Sequence, residues 1–143
     1  MPNQGASWRE RRTHDAAGQV RRLAERQAAE TAQARVLIAG FLEAAEHAGI
    51  TPEPLFARGY GNRGRYRTGL TGWYLRVNES AALDTEGNFY VMTVAGGLRT
   101  KLFGATPEPS DPPLILGKGA RDGESIDLQE ALERVLARRT QPS

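Results

Sequence analysis

Hydrophobic residues follow two different periods along this chain, and the change of period separates helical from extended parts. Between residues 15 and 47, apolar positions recur every three or four residues without an interrupting proline, which is the spacing of one helix face. This stripe consists of Val20, Leu23, Ala34, Leu37, Ile38, Phe41, Leu42 and Ala45. It is bulky only in its second half, so we expect the first half of the helix to extend beyond the core.

The two ends of this helix differ in how clearly they are marked. Gly49 and Pro52 predict its C-terminal end, because glycine accepts a left-handed cap and proline cannot continue a helix. Asp15 is a predicted N-cap, with the pair Ser7 and Glu10 as an alternative capping box. We therefore divide the chain into a polar N-terminal arm or frayed helix start, residues 1–14, and a single α+β domain, residues 15–140.

A period of two governs the middle of the chain. Trp73, Leu75 and Val77 alternate with Tyr74, Arg76 and Asn78, which predicts a half-buried strand after a glycine-rich hairpin or loop at 59–72. Further strands are predicted at 81–83, 89–94, 98–102 and 114–116, and a second helix after Asp127. The order predicts an α+β fold in which the long N-terminal helix and the C-terminal helix pack on one face of an antiparallel meander of about four or five strands.

The residue inventory removes several classes of chemistry. The chain of 143 residues has no cysteine, which excludes disulfides, thiolate metal sites and cysteine nucleophiles. Its two histidines, His14 and His47, fall at opposite ends of the predicted helix, which argues against a histidine triad or zinc site. We predict no catalytic residues, no metal and no cofactor. A site assembled from distant carboxylates stays open.

No apolar segment near the N-terminus resembles a signal peptide or a membrane span. Together with the absence of cysteine, this favours a cytoplasmic protein that does not insert into a membrane.

The segment 58–76 is the most unusual stretch in charge, since arginines and aromatic residues alternate there without any acidic residue. Guanidinium groups neutralise phosphates and exposed rings stack on unpaired bases, which is the chemistry of single-stranded RNA or DNA binding. The candidate nucleic-acid-binding residues are Arg58, Tyr60, Arg63, Arg65, Tyr66, Arg67 and Arg76. We place a structural interpretation first. In this interpretation Trp73 is a core residue, the tyrosines cover sheet edges, and the arginines belong to a solvated loop.

These observations leave three functional hypotheses. The first is a non-enzymatic interaction or accessory module, whose alanine-rich first helix half contacts a protein partner or a second copy of the chain. The second is nucleic-acid binding through residues 58–76. The third is a small-ligand site on the concave side of the sheet.

Residues 72–133 resemble a group of short uncharacterised proteins of high-GC Gram-positive bacteria. The resemblance lies in the start Gly72-Trp73-Tyr74-Leu75 and in the segment Arg121-Asp122-Gly123-Glu124-Ser125. It implies a cytoplasmic bacterial protein and brings no activity or site residue.

Overall fold

The computed structural model describes residues 4–117 and 124–138. Helix α1 (Gln4–Ala48) is followed by strand β1 (Glu53–Gly59), a short 3₁₀ turn (Tyr60–Asn62), β2 (Arg65–Tyr74), β3 (Ala81–Asp84), β4 (Phe89–Val91) and β5 (Thr93–Val94). The described chain then forms helix α2 (Leu98–Phe103), β6 (Ile115–Leu116), β7 (Ile126–Asp127) and helix α3 (Leu128–Ala137).

Helix α1 confirms the predicted long helix and starts earlier than Asp15, at Gln4. Its 45 residues span about 67 Å at 1.5 Å per residue. Positions 7–29 are exposed except for the half-buried Gly18, and fully buried positions begin only at Ala34. The first half therefore projects from the core, as its weak apolar stripe predicts.

The C-terminal end of α1 lies where glycine and proline predict it. Gly49 has a positive φ of 68°, and the Ile50 amide donates to the Ala45 carbonyl oxygen at 2.9 Å. This left-handed cap turns the chain sharply into β1.

The main sheet has the order β4-β3-β2-β1-β5, with one parallel pair, β1 with β5, among antiparallel ones. Strands β4 and β5 occupy opposite ends of this order and yet are separated by Met92 alone. The sheet therefore curls until its two ends meet, and the Met92 carbonyl accepts from the Arg58 amide at 2.8 Å. The α+β class is confirmed, while the sheet is mixed and not wholly antiparallel.

Each face of the curled sheet has its own apolar cluster. On the outer face, Trp73 packs edge-on against Phe41 of α1, with ring centroids 5.3 Å apart, and both long helices contribute to this cluster. The inner cluster consists of Leu55, Tyr74, Ala82, Tyr90 and Met92. Both helices thus cover one face, as predicted, and the concave face is filled by the sheet's own side chains.

The predicted strand at 98–102 is wrong, because this segment forms α2. Strand β5 already occupies the free side of β1, so no neighbouring edge is left for an additional strand there. Leu98, Leu102 and Phe103 are exposed as a result. The predicted strand at 114–116 is confirmed as β6, paired with β7. The strand predicted from the alternation at 73–78 is only partly right, because β2 runs from Arg65 to Tyr74 and residues 75–78 form a bend and turn in which Val77 is 91% exposed.

None of the helices in the described part of the chain is both long and apolar enough to cross a membrane.

Candidate functional site

The β1–β2 hairpin brings several of the candidate arginines to one face. Arg58 lies opposite Arg65, and Phe56 lies opposite Arg67, and directly opposed residues of an antiparallel pair point to the same side. The Arg65 guanidinium carbon lies 4.1 Å from the centre of the Phe56 ring. This face therefore carries three arginines and one aromatic ring, and one of the arginines stacks on that ring.

Two of these arginines are already engaged by an internal carboxylate. Glu79 accepts from Arg58 at 2.8 Å and lies 3.7 Å from Arg65. Burial favours the neutral form of this acid, but the hydrogen bond from Arg58 and further bonds and charges outweigh it and lower the pKa of Glu79. Glu79 also has a positive φ of 60°, an unusual conformation for a residue with a Cβ atom. Arg58 and Arg65 are therefore partly structural.

The remaining candidates from segment 58–76 divide between surface and interior. Arg76 points elsewhere and donates to the Glu124 carbonyl oxygen at 3.0 Å. Tyr66 is half-buried, with its hydroxyl beside Gly64 and Gly96. Trp73 is a core residue, as in the structural interpretation. The candidate side chains of segment 58–76 therefore do not form one binding surface.

Tyr74 links the interior to the rim of the curled sheet. Its hydroxyl accepts from the Phe56 amide at 2.7 Å and donates to the Phe56 carbonyl at 3.2 Å. Burial, together with the nearby Glu79 carboxylate, raises the pKa of Tyr74 despite the hydrogen bond to Phe56. The hydroxyl of this tyrosine is therefore engaged by the backbone of β1.

Helix α2 adds cations that the sequence analysis assigned to a strand. The Ala105 amide, just after α2, donates to the Arg67 carbonyl at 2.7 Å, so α2 lies beside the hairpin. We call the exposed side chains of residues 59–67 and 93–105 the basic surface. Its five cations are Arg63, Arg65, Arg67, Arg99 and Lys101, all exposed, and neither segment contains an acidic residue.

Exposed rings and aliphatic groups accompany these charges. Tyr60 is 67% exposed and Phe103 is 80% exposed, and Leu98 and Leu102 stand beside the cations of α2. The sequence did contain a signal for the contribution of α2 to the basic surface, because no acidic residue occurs between Glu86 and Glu108.

A second candidate site is a cavity of about 320 Å³ at the C-terminal ends of α1 and α3. It is lined by Gly49, Ile50, Thr51, Glu53, Trp73, Tyr74, Val135 and Arg138. The indole N–H of Trp73 is buried, and no group in the described part of the chain accepts its hydrogen bond. An unsatisfied buried donor costs about 1–3 kcal/mol. The sequence alone could not assemble this cavity from four separate elements.

The carboxylates of the described residues are not gathered into a metal-binding cluster. No group of three histidine, aspartate or glutamate side chains among residues 4–117 and 124–138 could hold a metal ion. Asp84, a buried carboxylate, accepts hydrogen bonds from Glu86, Asn88 and Tyr90 within its own turn. Its role is therefore structural.

No protein-family model, curated protein or solved structure matches this chain. The two candidate sites are therefore judged on their own geometry and chemistry.

Proposed function

We propose that this protein binds single-stranded RNA or DNA through the basic surface. The observation that carries the proposal is the juxtaposition of two acid-free segments, the hairpin tip and α2, which together expose five cations. Phosphate groups provide the dominant, salt-sensitive part of nucleic-acid affinity, and clustered arginines neutralise them.

The exposed rings favour a single strand over a duplex. Tyr60 and Phe103 are exposed and belong to the same two segments as the cations. Unpaired bases stack on such rings, whereas the bases of a duplex are already stacked on one another. Helix α2 has only six residues, which is short for a helix that reads a major groove.

The test measures binding of fluorescein-labelled 20-nucleotide oligo(U) and oligo(dT), and of a 20-base-pair duplex, by fluorescence anisotropy at several salt concentrations. We expect the single strands to bind more tightly than the duplex, with affinity falling as salt rises. The triple variant Arg63→Gln/Arg67→Gln/Arg99→Gln should weaken binding by at least tenfold. Arg65 is left intact because it lies beside Glu79.

The matched control is Arg21→Gln/Arg22→Gln/Arg26→Gln, which removes the same charge from exposed positions on α1. Equal weakening by both triple variants would show that only the net charge matters, and would overturn the proposal. Tyr60→Ala and Phe103→Ala should each weaken single-strand binding with little change in its salt dependence, because stacking is worth about 1–3 kcal/mol per base.

Contact with a protein partner or a second copy through α1 remains a second proposal. The exposed first half of α1 favours it, although its large apolar side chains are only Trp8, Val20 and Leu23. Arg12 partly covers Trp8, with its guanidinium carbon 4.4 Å from the ring centre. Light scattering that finds a monomer at all concentrations, and native co-purification without a specific partner, would count against it.

A further inference from the structure

Two opposite charges line the cavity between α1, β1 and α3 without pairing. Glu53 and Arg138 both contribute to its wall. Neither side chain makes an ion pair or a hydrogen bond within the described part of the chain. The cavity is therefore lined by one exposed anion and one exposed cation, neither of which pairs with another side chain of the described residues.

The charged residues near Glu53 and Arg138 form ion pairs with other side chains. Arg134 pairs with Glu130 at 2.7 Å, and Glu79 accepts from Arg58. Arg138 also lines two further cavities, both of which include Arg76 and one of which includes Arg65. Arg138 therefore contributes to the walls of three cavities.

The rest of the wall combines apolar surface with hydrogen-bonding capacity. Ile50, Val135 and the Trp73 ring provide the apolar part, and the Trp73 indole N–H lacks an acceptor. Gly49 and Ile50, which directly follow the C-terminal end of α1, form one side of the cavity, and the negative end of this helix dipole favours a positive group there.

We propose that this cavity binds a small zwitterion, with an ammonium and a carboxylate group on a short aliphatic body, such as an aliphatic amino acid. Arg138 holds the carboxylate, Glu53 holds the ammonium group, and Ile50 and Val135 contact the aliphatic part. A volume of about 320 Å³ lies at the small end of ligand pockets, which suits a molecule of this size. The site is separate from the basic surface.

The experiment uses the indole N–H resonances in ¹H–¹⁵N NMR spectra of the full chain. The chain has two tryptophans, and Trp8 on the projecting helix serves as an internal reference for Trp73 in the cavity wall. The probes are L-alanine, L-valine and L-leucine, together with 4-methylpentanoate, which lacks the ammonium group, and 3-methylbutylamine, which lacks the carboxylate.

We expect at least one of the three amino acids to shift the Trp73 resonance saturably while Trp8 stays unchanged, and both analogues to bind at least tenfold more weakly than leucine. Glu53→Gln and Arg138→Gln should each weaken amino-acid binding at least tenfold. Glu108→Gln and Arg21→Gln remove equivalent charges at exposed positions away from the cavity and should leave it unchanged. The proposal is overturned if no probe shifts Trp73, if the analogues bind as well as leucine, or if Arg138→Gln binds amino acids as tightly as the unaltered chain.

Discussion

At the scale of single residues, Asp84 is the most heavily used carboxylate described here. Its Oδ1 accepts from the amides of Glu86 and Asn88 at 2.9 Å, and its Oδ2 accepts from the Asn88 side chain and the Tyr90 hydroxyl. Burial favours the neutral acid, yet these hydrogen bonds outweigh it and lower the pKa of Asp84. The turn between β3 and β4 therefore depends on an ionised side chain.

Replacing Asp84 with Asn should lower the free energy of unfolding by about 1.5–3 kcal/mol at neutral pH, as expected for hydrogen bonds to a charged group. Because the folded-state pKa is depressed, this contribution is fully present above the usual pKa of about 4 and is lost progressively as the pH falls from there through the folded-state pKa. Urea unfolding at pH 7 and pH 3 tests this. The loss of stability on acidification should be smaller in Asp84→Asn than in the unaltered chain or in the exposed neighbour variant Glu86→Gln, and an identical loss would contradict it.

Residue patterns in the sequence identified some roles and missed others. Alternation placed Trp73 and Tyr74 on opposite faces, and the helix-packed face of Trp73 follows from that. The burial of Tyr74 does not follow from this alternation. The opposite face of a flat meander would be exposed to solvent, and Tyr74 is buried only because the sheet curls around it. The pairing of Arg58 with Glu79 joins residues 21 positions apart, a separation that no local pattern encodes.

At the scale of elements, α1 has two functionally different halves. Burial of its second half against the sheet and α3 explains why that part is ordered. The first half has no fully buried residue before Ala34 among its described side chains, so its helicity depends on alanine-rich propensity and on continuity with the packed half.

Deleting residues 1–22 should therefore change the free energy of unfolding of the remaining domain by less than about 1 kcal/mol, since surface positions contribute little. Limited trypsin digestion of the full chain should cut first after Arg9, Arg11 or Arg12, near the end where the helix frays most easily, and then after Arg21, Arg22 or Arg26 in the rest of the exposed half. Urea unfolding and mass spectrometry of the fragments measure the two effects. A large loss of stability, or resistance of these sites to trypsin, would show that the first half packs on something in solution.

Helix α2 shows the limit of predicting short elements from alternation. Residues 98–102 have a leucine at each end and cations between them. This pattern fits a strand with one solvent-exposed face, and the same residues also fit one and a half turns of helix. Availability of a sheet edge decides between them, and that depends on β5 pairing with β1. Helices α1 and α3 were predictable because the three- and four-residue spacing persists over nearly three turns in α3 and over many more in α1.

At the scale of the whole molecule, the two apolar clusters share the same strands. Trp73 in the outer cluster and Tyr74 in the inner cluster are consecutive residues of β2. We therefore expect the helical layer and the curled sheet to unfold together, although the fold class alone would allow them to separate.

The variant Phe41→Ala tests this coupling, because it removes the ring that packs on Trp73 from the helix side. It should lower the free energy of unfolding by about 3–5 kcal/mol. Fluorescence of Trp73 in a Trp8→Phe background and the near-ultraviolet circular dichroism of the tyrosines should still report a single urea midpoint. Two separate midpoints would mean that the clusters unfold independently.

The meeting of the two sheet ends at Met92 has a consequence for behaviour in a crowded solution. An open sheet offers rows of free amides and carbonyls to which a strand from another molecule can add, and such edges promote aggregation. Here the segment from Phe89 to Val94 serves both ends of the sheet, pairing with β3 through its first part and with β1 through its second. The curl thereby protects the five-stranded sheet against intermolecular strand addition, even though the molecule exposes a long helix and several large apolar side chains.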